Sequence, residues 1–360
     1  MFLSPISDWN RSNYGRLLRY LEDTEITALA IDTETSGVEF NDQAFCVSMA
    51  WRDGHGRLCS TYTELERDYD GAGRAAATAI CKRAERWVFH NSKFDLQKLI
   101  LGGVIDRDSV EPDRFEDTEG LYYIHDMLGR KALKYLAKTL LKLDTAEEET
   151  LTKVRKKLKK KKKDGYTVLP RSAIIPYAIK DAEYTLLLYE YLLLLYEKER
   201  DEVDWAVYAR EKRITCTLLD MEARGIGVNY KGLQELFKEY NTEYRKLEMF
   251  LTSAMEVSDW APIGKTGKVL RYNCNSNNQI IEFAKEVHGI KLPNAQADTF
   301  REHEEHPFFH KLLKYKHYQK MTNTYLRALV KEGRDGVYHP WFNQYKASTG
   351  RFTSSSASNE

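Results

Sequence analysis

The sequence predicts an α/β fold over roughly the first 200 residues, followed by a mostly helical second part. Three observations carry this expectation. Residues 24–62 read as three antiparallel strands in a meander, residues 73–199 mix helical and strand patterns, and long amphipathic helices take over after Glu199.

The first strand is the small and apolar run 27–31, which continues into Asp32-Thr33-Glu34-Thr35 and is broken by Ser36-Gly37. Residues 44–51 form the second and residues 57–62 the third, with Asp53-Gly54-His55-Gly56 where a hairpin wants its turn. Residues 73–86 are alanine-rich with helical spacing. Trp87-Val88-Phe89 is a short buried strand, and Asn91 or Ser92 caps the helix that follows. Helical patterns run over 122–128 and 131–141. A long helix is expected to begin at Pro176, because the missing N–H of a proline has no partner in a first turn anyway. Its leucine-rich face over 186–195, with Tyr184, Tyr189 and Tyr191, is core packing. Farther on, residues 205–224 make an amphipathic helix stopped at Gly225. Helices over 230–257, 276–288 and 310–331 follow, with a flexible basic tip at 262–268. Short strands at Val337-Tyr338 and 341–345 precede a Ser/Thr-rich end, and there is no internal repeat.

Composition narrows the class. A net charge of +1 with 30% charged residues excludes a uniformly basic nucleic-acid coat. Five scattered cysteines without a C-x-x-C fit a reduced intracellular protein lacking structural zinc. The start is too soon interrupted for a signal peptide, and the apolar run 186–196, broken by Glu190, is far short of a membrane span. A soluble, cytoplasmic protein is expected. Charge is uneven, though: Glu147-Glu148-Glu149 is followed by a basic block over 153–163, expected to be solvated and mobile or to form a local phosphate-attracting patch.

Residues two apart on a strand share a face, so Asp32 and Glu34 point together toward one charge. Adjacent carboxylates repel unless a cation sits between them or one stays protonated. Asp95, in the first turn of a helix, and Asp181, four residues after Tyr177 on another, are the distant groups able to complete a site. Four carboxylates and a tyrosine on one strand and two helices are what a two-metal phosphodiesterase needs. All-oxygen ligands favour Mg²⁺ or Mn²⁺, two ions in all, over Zn²⁺.

Asp32-x-Glu34 with its trailing Thr-x-Gly, Asn91-x-x-x-Asp95 and Tyr177-x-x-x-Asp181 occur in that order. They resemble the three motifs of the DEDDy class of 3′–5′ exonucleases, whose fold is ribonuclease H-like. The resemblance implies that Asp32 bridges both metals, Glu34 and Asp181 hold the first, Asp95 supports the second, and Tyr177 orients the attacking water. A phenol of pKa ~10 is a poor base at neutral pH, which suits that modest role. The second half resembles family A (pol I-like) DNA polymerases. Residues 218–226 are similar to the segment after the proofreading domain, 273–279 to the thumb motif that touches the duplex backbone, and 320–325 to the end of the long thumb helix. Thr349-Gly350-Arg351 with Ser354 and Ser355 is similar to the segment that lines primer–template at the start of the palm. The DNA contacts implied are Asn275, Ser276, Asn277, Gln279, Lys320, Thr349, Gly350, Arg351, Ser354 and Ser355.

The expected division is an exonuclease domain over 1–200, a palm-base helix and thumb over 201–335, and first palm strands over 336–360. The family's palm aspartates and fingers helix do not follow in this sequence, so it is expected to be either a fragment or the amino-terminal half of a split, phage-encoded enzyme, divided by a split gene or a split intein, in which DNA synthesis needs a second polypeptide carrying palm and fingers. The partners expected are therefore DNA, as a single-stranded 3′ end and as primer–template, and that second chain, with no membrane. The alternatives are a stand-alone repair or RNA-trimming exonuclease and a non-catalytic DNA-binding subunit. Gly264-Lys265-Thr266 lacks the earlier glycine of a P-loop and reads as a thumb tip or a solvated loop. His303-Glu304-Glu305-His306 has the wrong spacing for a zinc protease. His90 is expected to hydrogen-bond at a strand end, and the lysine block either attracts a frayed 3′ strand or is a solvated insertion.

Overall fold

The computed structural model describes residues 11–66, 71–160, 166–199 and 202–355. The chain forms two compact units, Met1–Arg224 with Pro340–Glu360, and Gly225–His339. The boundaries thus fall beside 224 and 339, where the sequence reading puts them beside 200 and 335.

In the first unit, α1 (Arg11–Glu22) leads into β1 (Ile26–Thr35), β2 (Ala44–Arg52) and β3 (Leu58–Glu64), then α2 (Ala72–Arg83), β4 (Ala84–Phe89) and α3 (Ser92–Leu101). After two 3₁₀ turns come β5 (Phe115–Asp117), α4 (Thr118–His125), α5 (Leu133–Thr139), α6 (Ala146–Lys157), α7 (Arg171–Glu199) and α8 (Glu202–Arg224). The sheet order is β3-β2-β1-β4-β5, with β1 antiparallel to β2 and parallel to β4. The pleat sorts β1 by parity. Leu29 and Ile31 join a core with α1, α2 and α3, whereas Ala30, with Ala50 and Val88, packs toward α4 and α7. Small residues on that second face let the long helix α7 lie close to the strand.

Several expectations are revised here. The helix carrying the third motif begins at Arg171 and contains Pro176, so that proline is not its first residue. Its missing N–H leaves the Ser172 carbonyl without the usual helical donor. The acidic and basic runs at 147–149 and 155–157 are the two ends of α6, not a mobile block. Acid in a first turn and base in a last turn both complement the helix dipole. Lys161, Lys162 and Lys163 lie outside the described residues. The helix expected over 122–128 ends at His125, because the Asp126 side chain takes the N–H groups of Leu128 (3.1 Å) and Gly129 (2.8 Å).

The C-terminal strands β8 (Trp341–Asn343) and β9 (Thr353–Ser355) pair antiparallel and belong to the first unit. The second unit holds α9 (Tyr230–Glu256), α10 (Asn277–His288), the short α11 (Ala297–Arg301) and α12 (Pro307–Lys320). Helix α12 runs on through a π-helical stretch, Met321–Leu326, into α13 (Arg327–Glu332). A two-residue pairing of β6 (Ile226–Gly227) with β7 (Val337–Tyr338) closes the unit. Gly225 has φ +65°, and a Cβ there would lie 2.5 Å from Val337, so both backbone and space require glycine at this stop. Aromatic stacking of Tyr244 on Tyr315 and a Phe283–Phe308–Phe309 cluster form its core. Among the described residues no helix is long and apolar enough to cross a membrane.

Candidate active site

Asp32 and Glu34 occupy the far half of β1, opposite Ser48 and Cys46 of β2. They share the parity of Ala30 and so face α7. Ser48 fixes that helix, its hydroxyl donating to the Ala178 carbonyl at 2.7 Å. Asp181 follows one turn later, and one carboxylate oxygen from each of Asp32, Glu34 and Asp181 lies within 4.8 Å of the others. This three-carboxylate group is the one such cluster of potential metal ligands among the described residues.

The electrostatics are those of crowded acids, Glu34 and Asp181 buried and Asp32 half-buried. Burial, then the charges of Asp181 and Glu34, push Asp32 well above the usual carboxylate range. Glu34 is raised likewise by burial and Asp181, while burial takes Asp181 to about 6 against the pull of Lys134. A set of acids that cannot all ionise comfortably, presenting oxygen atoms to one point, fits a hard divalent cation.

Asp95 does not join the tight group. It rises from α3, which packs on the opposite face of the sheet, and so meets the odd-parity residue Thr33. Its Oδ1 accepts from the Thr33 backbone N–H (2.9 Å) and hydroxyl (2.7 Å). Burial still raises it to about 7, and its charge is felt at Asp32 and Glu34. Tyr177 is half-buried beside Asp181, its phenol pushed well above the ordinary value by burial and then by that carboxylate. Its ring stacks on Tyr166 at 5.8 Å, and the Arg155 guanidinium lies 5.0 Å over Tyr166.

Three residues that the sequence reading missed support the site. Lys134 of α5 places its ammonium against Asp181 and 2.8 Å from Glu147 Oε1. Asp117 accepts from the N–H groups of Asn91 (3.1 Å) and Ser92 (2.8 Å) and from the Ser92 hydroxyl (2.7 Å). It thereby pins the start of α3, where Asn91 adopts φ 73°, a left-handed conformation uncommon outside glycine. Ser48 is the third. Lys134 stands beside an apolar helical stripe and reads as solvated, so no sequence signal marks it; Asp117 at least sits where a helix cap is expected. His90 pairs with the Thr118 hydroxyl at 2.8 Å, as a strand-end histidine should.

Of the candidate DNA-contact residues, Asn275, Ser276, Asn277 and Gln279 gather at the start of α10 in the second unit. Ser276 caps the helix. Gln279 is turned inward, accepting from Asn273 N–H (2.8 Å) and donating to the Arg271 carbonyl (3.1 Å). Asn275 pairs with Gln319, whereas Asn277 and Lys320 are exposed. In the first unit Thr349, Gly350, Arg351 and Ser354 are exposed on and beside a turn, and the Ser355 hydroxyl receives Asn343 at 3.2 Å. Gly264-Lys265-Thr266 forms a hairpin tip closed by pairing of Ile263 with Val269, without the helix a P-loop would open.

A family described as 3′–5′ exonuclease matches residues 15–197, half of the chain. The DNA polymerase of Escherichia phage T5 is 27% identical over 288 residues, covering 74% of this chain and 33% of its own. DNA polymerase I of Borreliella burgdorferi is 22% identical over 340 residues, covering 91% of this chain and 34% of its own. The chain thus spans about a third of the length of these curated relatives. The polymerase domain of Pol1 from M. smegmatis, solved with DNA primer-template and dNTP, superposes with a TM-score of 0.64 at 18% identity. It covers 98% of this chain and 54% of that one, which shows a common fold.

Proposed function

Because the chain belongs to the 3′–5′ exonuclease family of family A DNA polymerases, we propose that its first unit proofreads, hydrolysing 3′-terminal nucleotides of DNA. The observation that carries this reading is the convergence of Asp32, Glu34 and Asp181 within 4.8 Å, between a central strand and a long helix. Asp32, Glu34 and Asp181 would hold one Mg²⁺ or Mn²⁺ ion, and Asp32 with Asp95 a second. Such ions supply Lewis-acid activation of water and neutralise charge at the scissile phosphate. Thr33 holds Asp95 in place through two hydrogen bonds. Release of 5′-mononucleotides from a 3′-labelled oligonucleotide, lost on chelation, tests the reading against both a non-catalytic subunit and an RNA-trimming enzyme.

On this reading Tyr177 orients the attacking water, and its raised pKa leaves it protonated and unfit as a base. Tyr177→Phe should slow single-turnover cleavage by roughly tenfold to a hundredfold. Mn²⁺ affinity should stay near the wild-type value, and its loss to the extent seen in Asp32→Ala would refute the orienting role.

The acids also set a pH dependence. Asp95 near 7 and Asp181 near 6 bind protons more tightly folded than unfolded. Their contribution to metal-free stability is therefore highest below about pH 4 and is lost as pH rises through 6 to 7. Added Mg²⁺ should raise Tm little at pH 5 and more at pH 8. Equal shifts at the two pH values in thermal melts would count against metal binding by these carboxylates.

For the second unit and the C-terminal turn we infer a primer–template grip by Asn275, Ser276, Asn277, Lys320, Thr349, Gly350, Arg351, Ser354 and Ser355. Gln279 supports that reading as a brace for the 271–276 segment. The salt dependence of duplex binding in Lys320→Ala and Arg351→Ala tests it, since each lost phosphate contact flattens the slope.

A further inference from the structure

The carboxylate site carries a cation of its own. Lys134 is nearly buried, its side chain 11% exposed, and its ammonium faces two carboxylates from different elements, Asp181 on α7 and Glu147 on α6. Toward Glu147 there is a well-formed hydrogen bond of 2.8 Å. Toward Asp181 the ammonium makes a close ion pair on Oδ1, which pulls the Asp181 pKa down against its burial. The Tyr184 hydroxyl lies between Glu147 Oε2 (3.2 Å) and the Asp144 carbonyl (2.6 Å), which share its one proton. The rings of Tyr177 and Tyr184 wall the ammonium at 4.5 Å and 4.7 Å, a cation–π setting that tolerates a small displacement.

On the two-ion reading given above, we propose that Lys134 is the resident counter-cation of the site. Anchored throughout by Glu147, it neutralises Asp181 while no divalent ion is bound and withdraws onto Glu147 when Asp181 takes one. The residue is a positioning group: it keeps Asp181 from being driven away by Asp32 and Glu34, at the expense of competing with the incoming ion.

Removing the lysine and removing its anchor must then have opposite effects. In Lys134→Met the competing charge is gone, and the full chain should bind Mn²⁺ about tenfold tighter, as expected for unit charge a few ångströms from a divalent ion at intermediate permittivity. Its metal-free Tm should fall by about 4 °C, with the deficit closing at saturating Mn²⁺. In Glu147→Gln the ammonium has only Asp181 to pair with, and Mn²⁺ should bind about tenfold more weakly. Free Mn²⁺ measured by electron paramagnetic resonance during titration, with thermal melts at each end, reads all of these. A purely structural ion pair would lower Tm equally with and without Mn²⁺ and move both affinities in the same direction, which overturns the proposal. If Lys134→Met does not fold, Glu147→Gln decides: weaker binding supports the proposal, and unchanged or tighter binding overturns it. Wild-type protein that binds no Mn²⁺ would refute the two-ion reading itself, whereas binding without divergence of the variants refutes the counter-cation alone.

Discussion

Asp32→Ala is expected to reduce 3′-terminal hydrolysis by at least about a thousandfold, since loss of even one neutral donor from a charge-stabilising site costs 10²–10³. Asp32 is the residue on which both halves of the site depend. It lies within 4.8 Å of Glu34 and Asp181 through its ligand oxygen, and it also feels the charge of Asp95. The same crowding gives the variant a second signature. Burial and three neighbouring carboxylates raise the Asp32 pKa, so its ionised form opposes folding at neutral pH when no cation is present. Asp32→Ala should therefore melt higher than wild type in chelator and gain less from Mg²⁺. A variant that loses activity and stability together would mean that Asp32 supports the fold instead of the chemistry.

The parity of β1 explains what the sequence makes legible. Two carboxylates at i and i+2 must share a face, and Tyr177 and Asp181 at i and i+4 must share a helix side, so these four residues are readable from local periodicity. Asp95 is readable as a motif member but not in its placement. Its helix packs on the other face of the sheet, so that its Oδ1 is held by Thr33 and the residue stands outside the tight group. Pro176 misled because proline is favoured at a first helical position, yet packing of Ile174 and Ala178 in one core cluster carries α7 through it. The basic block is legible in its exposure but not in its secondary structure. Its described lysines are exposed, as runs of like charge usually are, but opposite runs cap the two ends of an ordered α6 around the buried Leu151. Lys134, Ser48 and Asp117 act on the site through partners 13 to 130 residues away, distances over which no pattern in the chain fixes a contact.

Lys93→Met should cost the first unit about 3–5 kcal/mol, the penalty for leaving one member of a buried ion pair without the other. Lys93 sits in the first turn of α3 and Glu222 in the last turns of α8, and their side chains are 5% and 1% exposed. Glu222 Oε1 also accepts the backbone N–H of Phe342 at 2.8 Å, and the Lys93 ammonium lies 3.4 Å above the Trp341 ring. One pair of charges thus joins α3, α8 and β8, which is why the C-terminal strands belong to the same compact unit as the site. Glu222→Gln should cost less, because the remaining cation keeps Trp341 beneath it. The double variant Lys93→Met with Glu222→Gln should recover much of the loss, since no buried charge is left without a partner. Urea unfolding of the four proteins measures the coupling, and single losses that simply add would sink the idea. The pH dependence supplies a second reading. Burial already raises the Glu222 pKa, with Lys93 holding it down. Without that lysine the folded carboxyl binds its proton more tightly still than the unfolded chain does. Lys93→Met should therefore lose stability as pH rises through the new folded pKa and regain part of it on acidification, while the double variant should not.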